Sequence, residues 1–357
     1  MLSLKQINLI NMKKTILLLC LFALFVSATA QDEQALKELE KKSRLVYNEG
    51  VRLAADGKYT DAHAKFDESL FIQPEFALPY IERAKIKILN KEYDLAVDDV
   101  ARAIATDEEA AEAFYLRGYL NILMNNYQEA LTDFTRAIQK GFTENKVYYF
   151  RGLMNFKLQD YNSALIDFTM AIDKKYDFAY AFNERASTKK LLGDYHGAIH
   201  DYNQAIAYDS TIINAYDNRA SCKIKTGDFQ GAIDDYTQAI KKDPQFYIAF
   251  NNRGNAYFQM TEYEKALNDF SKVIEIKKDY APGYNNAAIT KIKLENYLGA
   301  VDDLDKAIEL DNEYGEAYLN RGYAKEFLGK FEAACSDWKK AKELGIEEAE
   351  KYISECE

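Results

Sequence analysis

The chain is 357 residues long, carries 46 basic and 57 acidic residues, and has a net charge of −11 at pH 7. This acidic balance argues against nucleic acid as a partner and against peripheral binding to anionic lipid, because both require a basic surface. Hydrophobic residues make up 48% of the sequence, which is enough for a continuous core. The negative charge is explained either by solubility alone or by an acidic surface suited to a basic partner, and composition leaves both open.

Residues 1–30 are predicted to be a secretory signal peptide. A basic start at Lys13 and Lys14 precedes an apolar run over residues 15–27, and small residues end the segment before Gln31, where cleavage is expected. The apolar run is shorter than the roughly 20 residues that a helix needs to span a membrane. We therefore expect an exported protein, periplasmic or secreted, without a membrane span after signal removal.

Two further points concern this end of the chain. Translation starts at Met1 or at Met12, and the sequence does not distinguish them. Cys20 lies within the apolar run but lacks the small residue expected before a lipid-modified cysteine, so attachment as a lipoprotein is disfavoured. Residues 31–42 are a polar lead-in that is either a short helix or disordered.

Residues 43–348 consist of nine tandem units of 34 residues, without insertion or deletion. The stretch Tyr247–Tyr280 shows the unit best, because it reads as two amphipathic helices with a break around residues 260–262. An aromatic residue follows each break, with alanine three residues later and a bulky residue seven residues later. The aromatic column is Tyr59, Tyr93, Tyr127, Tyr161, Tyr195, Phe229, Tyr263, Tyr297 and Phe331. A small residue lies twelve positions before each alanine, in a column of Gly50, Ala84, Gly118, Gly152, Ala186, Ala220, Gly254, Ala288 and Gly322.

These columns resemble the tetratricopeptide repeat (TPR), a helix–turn–helix unit of 34 residues. The resemblance covers residues 43–348, and its one minor departure is that the closing proline, present at Pro74 and Pro244, is missing from most units. It implies an all-α fold in which paired antiparallel helices stack into a right-handed superhelix with a concave groove. It also implies a binding scaffold that forms one quasi-linear domain.

The C-terminal end is predicted to be a capping helix over residues 349–357. If this helix packs antiparallel to the last repeat, Cys356 comes close to Cys335, and an exported protein can form a disulfide between them. Cys222 is interpreted as a small core residue.

Arginine recurs just before the small column, and aspartate recurs just before the bulky column. The arginines are Arg83, Arg117, Arg151, Arg185, Arg219, Arg253 and Arg321, and the exceptions are Glu49 and Ala287. A row of ligand-binding arginines is one interpretation, and a ladder of structural ion pairs is the other and the favoured one.

No catalytic signature is found. His196 and His200 are four residues apart on one helix, but the other parts of a zinc protease motif are absent, so exposed histidines are the favoured interpretation. Glycine-rich phosphate loops, nucleophile elbows and paired CxxC motifs are also absent. We therefore expect no enzyme activity, no metal and no cofactor.

By resemblance to the TPR family, the first helix of each unit lines the groove with its fifth, sixth, ninth and twelfth residues. In the third and fourth units these are mainly aromatic, including Tyr115, Tyr119, Tyr149 and Phe150. From the fifth unit onward many are amides, including Asn183, Asn218, Asn251, Asn252, Asn255, Asn285, Asn286 and Asn320. Asparagine is a mediocre helix former, so core packing explains these amides poorly, whereas an amide line can pair with the backbone of an extended peptide.

The sequence thus predicts a non-catalytic protein–protein interaction scaffold of the cell envelope that binds an extended peptide or a partner protein in this groove. A self-associating structural protein, with the aromatic zone buried between copies in a homo-oligomer, is the alternative. An empty, merely solvated groove is a third interpretation.

Overall fold

The structure, a computed structural model, describes residues 33–354 and residue 356. The predicted signal peptide therefore lies outside the described residues. The described chain is all-α, with nineteen α-helices in a paired helix–turn–helix arrangement and no β-strand in this part of the chain. Among these residues, no helix is both long and apolar enough to cross a membrane.

The chain divides into two compact units, and the boundary between Gln159 and Asp160 falls inside the fourth repeat. The helices of the first unit are α1 (33–55), α2 (Tyr59–Ile72), α3 (Ala77–Leu89), α4 (Tyr93–Thr106), α5 (Ala111–Leu123), α6 (Tyr127–Gln139) and α7 (Asn145–Lys157). Residues 33–42, for which the sequence left helix and disorder open, form the first part of α1.

The second unit holds the remaining twelve α-helices of the described chain. They are α8 (Tyr161–Lys174), α9 (Ala179–Leu191), α10 (Tyr195–Tyr208), α11 (Ile213–Lys225), α12 (Phe229–Lys242), α13 (Tyr247–Gln259), α14 (Tyr263–Ile276), α15 (Ala281–Lys293), α16 (Tyr297–Leu310), α17 (Gly315–Phe327), α18 (Phe331–Glu343) and α19 (Glu350–Ile353). A short 3₁₀ helix, Glu347–Ala349, precedes α19.

One residue with a positive φ makes the break between the two helices of a repeat. This column is Gly57, Lys91, Asn125, Gln159, Gly193, Gly227, Thr261, Glu295 and Gly329. In the seventh repeat the N–H of Thr261 donates to the carbonyl of Phe258, and the N–H of Glu262 donates to the carbonyl of Tyr257. This is the Schellman pattern that ends a helix, and it holds Thr261 at a φ of 62°, which is strained for a β-branched residue.

The core lies where the small column of the first helix meets the bulky column of the second. A Cβ atom added to Gly118 would lie 2.8 Å from Cε1 of Phe134, and one added to Gly254 would lie 2.8 Å from Cε1 of Phe270. Repeats with alanine in the small column have different bulky partners, such as Leu304 with Ala288. Glycine thus makes room for a phenylalanine ring, and alanine accompanies other bulky side chains.

In six repeats the recurring arginine and aspartate form an ion pair, as the favoured interpretation predicted. Each aspartate is almost fully buried and receives a two-pronged hydrogen bond from the arginine sixteen residues earlier. The pairs are Arg83–Asp99, Arg117–Asp133, Arg185–Asp201, Arg219–Asp235, Arg253–Asp269 and Arg321–Asp337. Five of these arginines also donate to the second helix of the preceding repeat, through Asp67, Thr169, Asn203, Thr237 and Asp305. The guanidinium groups therefore bind carboxylates of the protein itself and are not free for a ligand.

Cys335 and Cys356 form a disulfide, with their Cα atoms 5.8 Å apart. It ties the C-terminal segment, residues 346–354 and 356, to α18. The ring of Tyr352 stacks on Trp338 at a centroid distance of 5.0 Å, and Ala349 is fully buried. Cys222 is a buried free cysteine, and burial raises the pKa of its thiol to about 11.

Candidate functional site

The first helices of consecutive repeats in the second unit contact one another, in the order α9, α11, α13, α15 and α17. Residues at equivalent positions of these helices therefore share one continuous surface. We call the polar part of this surface the amide face, and its residues are Asn183, Asp217, Asn218, Asn251, Asn252, Asn255, Asn285, Asn286 and Asn320.

Three asparagines of the amide face bond to the preceding repeat. In each case Nδ2 of the sixth residue of a repeat donates to Oδ1 of the fifth residue of the repeat before it. The bonds are Asn252 to Asp217 at 3.1 Å, Asn286 to Asn251 at 3.0 Å and Asn320 to Asn285 at 2.9 Å. The asparagine line thus helps to hold neighbouring repeats together, a role that the sequence interpretation did not include.

These bonds leave hydrogen-bonding capacity on each asparagine. An amide has two N–H groups and one carbonyl oxygen, and only one N–H of Asn252, Asn286 and Asn320 is used in each bond. Within the described chain, the Oδ1 atoms of these three residues accept no hydrogen bond, and the three side chains are half-buried. Each amide can therefore still accept from and donate to a ligand.

At the N-terminal end of the amide face, the asparagines bond to charged residues and not to an amide or carboxylate of the preceding repeat. Lys190 Nζ donates to Asn218 Oδ1 at 2.5 Å, and Asn183 Nδ2 donates to Glu184 at 3.0 Å. The Oδ1 atom of Asn183 is buried and has no hydrogen-bond partner among the described residues, and the residue is only 7% exposed. This differs from the expectation that Asn183 is open to a ligand, and the reason is that its side chain is covered in the packed interior of the repeats.

Asp217 is the one carboxylate among the fifth residues that receive these bonds. Burial raises the pKa of its carboxyl group, while the bond from Asn252 and the charge of Lys190 act in the opposite direction. The carboxyl group is therefore more readily protonated than an exposed aspartate.

A small polar pocket of about 160 Å³ lies between α11 and α13. Ser221, Asn252, Asn255 and Gln259 line it on the amide face, and Tyr236 lines it from α12. The side chain of Asn255 makes no hydrogen bond to any residue that the structure describes and is half-buried. Asn255 is therefore the amide whose removal disturbs the protein itself least.

The aromatic zone consists of Tyr115, Tyr119, Tyr149 and Phe150 in the third and fourth repeats. It is more buried than expected. Tyr115 is 7% exposed, and its ring lies 4.7 Å from that of Phe142 and 5.9 Å from that of Phe134. Burial raises the pKa of its hydroxyl group. Tyr115 thus belongs to the core, in contrast to its predicted place on an open groove wall.

The other predicted aromatic residues of this zone are half-buried. The ring of Phe150 lies 5.4 Å from that of Tyr119 and 5.3 Å from that of Tyr149, both edge-on. Such pairs are favourable in themselves, so these rings are held in place by one another. Only the exposed part of each ring can contact a partner.

The described residues hold no group of three or more His, Cys, Asp or Glu side chains placed to bind a metal ion. His196 and His200 are exposed on α10, on a second helix and away from the amide face.

Comparison with protein-family models gives matches described as tetratricopeptide repeat over residues 83–145, 179–212, 247–280, 281–314 and 315–344, and as TPR repeat over residues 223–261. Together these matches cover more than half of the chain. No curated protein matches the sequence.

Three solved structures with a similar fold are distant from this chain in sequence. The C-terminal part of a TPR repeat-containing protein from Cytophaga hutchinsonii is 22% identical, with a TM-score of 0.58, covering 67% of this chain and 99% of its own. A tetratricopeptide repeat protein from Parabacteroides merdae is 18% identical, with a TM-score of 0.52, covering 68% and 97%. PilF of Pseudomonas aeruginosa is 18% identical, with a TM-score of 0.51, covering 59% and 97%. At this identity the similarity shows the fold alone.

Repeats of this kind stack their hairpins into extended surfaces that generally serve as protein–protein interaction scaffolds, and the matching models indicate no catalytic family. The repeat period, the paired helices and the matched models agree, and the chain belongs to the tetratricopeptide repeat family.

Proposed function

We propose that this protein is a non-catalytic scaffold of the cell envelope that binds an extended segment of a partner protein along the amide face. The observation that carries the proposal is the row of asparagines, Asn252, Asn286 and Asn320, each with a carbonyl oxygen and a second N–H group to which no described residue bonds. The proposed location in the envelope rests on the N-terminal sequence, residues 1–30.

The mode of binding follows from the chemistry of the amide group. A peptide backbone presents alternating N–H and C=O groups, and an asparagine side chain can pair with both. Side chains that recur once per repeat can therefore hold a backbone whatever its sequence. The half-buried rings of Tyr119, Tyr149 and Phe150 offer an apolar contact on the first unit for the same class of partner.

Because asparagines of the amide face bond to neighbouring repeats, a test of binding must separate a loss of affinity from a loss of stability. Asn286→Ala removes a bond to Asn251, and a net loss of about 1 kcal/mol in the free energy of unfolding is expected with any loss of binding. Asn255→Ala removes an amide with no described intramolecular bond, so binding is expected to weaken while the free energy of unfolding stays within about 0.5 kcal/mol of the wild type.

The experiment is quantitative co-purification from the native envelope with the chain beginning at Gln31 as bait. Wild type, Asn255→Ala and Asn286→Ala are compared with Gln238→Ala, an exposed amide on the second helix α12. We expect a partner that the wild type and Gln238→Ala retain and that the two asparagine variants lose in part. Equal recovery of every partner by all four proteins would contradict the amide face as the binding site.

A further inference from the structure

The C-terminal end of the first-helix surface changes from polar to apolar. Ile289 occupies the position held by Asn255 one repeat earlier, and Leu319 occupies the position held by Asn285. Together with Ile292 they line a pocket of about 280 Å³ between α15 and α17.

The C-terminal segment forms part of the wall of this pocket. Tyr352 and Glu348 line it from that segment, and Tyr323 lines it from α17. The segment is anchored by the Cys335–Cys356 disulfide and by the stacking of Tyr352 on Trp338. The part of the wall that Tyr352 and Glu348 form therefore depends on the docked position of the segment.

The last asparagine of the row also lines the pocket. Asn320 donates through Nδ2 to Asn285, and its carbonyl oxygen accepts no bond from the described residues. A backbone held at Asn320 would place a neighbouring side chain at the pocket mouth.

The charges at the pocket select against a charged occupant. Lys293 and Glu348 both line it, both are exposed, and neither forms an ion pair within the described residues. A charged side chain would be attracted by one and repelled by the other, whereas a neutral apolar side chain buries surface against Ile289, Ile292 and Leu319. The volume is just below the range of small-molecule sites, which suits a single side chain.

We propose that this pocket receives one large apolar side chain, aromatic or branched aliphatic, of the segment bound along the amide face, and that the disulfide-tethered C-terminal segment completes it. This inference rests on the proposed function and adds a sequence preference to it. The backbone-directed amides accept any extended segment, and the pocket selects those with an apolar residue at the position that lies beside Asn320.

The test uses N-acetyl-L-phenylalanine N-methylamide, which carries one aromatic side chain between two peptide groups, and its alanine and glutamate analogues as probes. Dissociation constants are measured by NMR on the oxidised protein. A thiol assay on the denatured chain beginning at Gln31 verifies the disulfide by finding one free thiol. The phenylalanine probe is expected to bind roughly ten- to a hundredfold more tightly than either analogue.

Three variants and one control make the result specific. Ile292→Trp fills the pocket, Tyr352→Ala removes part of its wall, and the double variant Cys335→Ser/Cys356→Ser releases its tether. Each is expected to weaken binding of the phenylalanine probe at least about fivefold, while Gln238→Ala leaves it unchanged. Equal binding of the three probes, or wild-type affinity in both Ile292→Trp and the double cysteine variant, would overturn the proposal.

The same variants separate this inference from the proposed function. A partner that is lost by Asn255→Ala but retained by Ile292→Trp would overturn the pocket and leave the amide face standing. Selective binding of the phenylalanine probe without any partner that depends on Asn255 would support the pocket and contradict the proposed function.

Discussion

Replacing Arg253 with alanine is expected to lower the free energy of unfolding by about 3–5 kcal/mol, because it leaves a buried carboxylate without a counter-charge. Asp269 is 1% exposed and receives two hydrogen bonds of 2.8 Å from Arg253, through Nε and Nη2. Most other repeats place a lysine four residues after the arginine, but this repeat has Tyr257 there. No second cation therefore contacts Asp269 within the described chain.

The preceding repeat provides the matched control. Arg219 pairs with Asp235 in the same way, but Lys223 Nζ also lies 2.8 Å from Asp235 Oδ2. Arg219→Ala is therefore expected to cost about half as much as Arg253→Ala. Urea unfolding followed by circular dichroism measures both, and equal losses would show that the second cation contributes nothing.

Shortening Phe270 to alanine is expected to cost about 3–5 kcal/mol through the cavity that it leaves. Phe270 is 1% exposed and lies against Gly254, where an added Cβ would approach its ring at 2.8 Å. Gly254→Ala is accordingly expected to cost about 1–3 kcal/mol by overpacking the same contact.

The next repeat has a different pair of residues at these two positions, and copying that pair is expected to restore part of the lost stability. There the small position is Ala288 and the bulky position is Leu304, and both are fully buried. The double variant Gly254→Ala/Phe270→Leu copies this pair, so its destabilisation is expected to be smaller than the sum of those of Gly254→Ala and Phe270→Leu measured singly. Additive losses in thermal unfolding would contradict a direct packing contact between the two columns.

Much of the fold could be predicted from the sequence because the determinants recur once per repeat. The small, aromatic, alanine and bulky columns each mark a contact between helices close in sequence, and the helix breaks follow at fixed offsets. The Arg–Asp ladder was identified in the same way, since residues sixteen positions apart on antiparallel helices face each other.

The predicted site was less accurate at the fifth residue of the repeat. Tyr115 and Asn183 occupy this position and are buried, whereas Tyr149 and Asn251 occupy it in other repeats and are half-buried. Adjacent residues on a helix differ by only about 100° in direction. Which of them faces the neighbouring repeat depends on how the repeats pack together, and a single repeat sequence does not specify that packing.

The bonds between asparagines were missed for a related reason. They join residues 35 positions apart, from the sixth position of one repeat to the fifth of the one before. Comparing residues 34 positions apart aligns the same position of two repeats. It does not compare the sixth position of one repeat with the fifth position of the repeat before. Asparagine or aspartate at two adjacent positions, as in Asn251–Asn252 and Asn285–Asn286, is the signal that could have revealed it.

The most direct test of the binding face is site-specific photo-crosslinking in cells that make the protein. A benzophenone amino acid replaces the exposed Gln259, which lines the pocket beside Asn255, in one variant and Gln238 on the outer helix α12 in the other. A partner protein crosslinked from position 259 and absent from position 238 is the result expected here. Crosslinking from position 238 alone, or equally from both positions, would contradict recognition by the amide face.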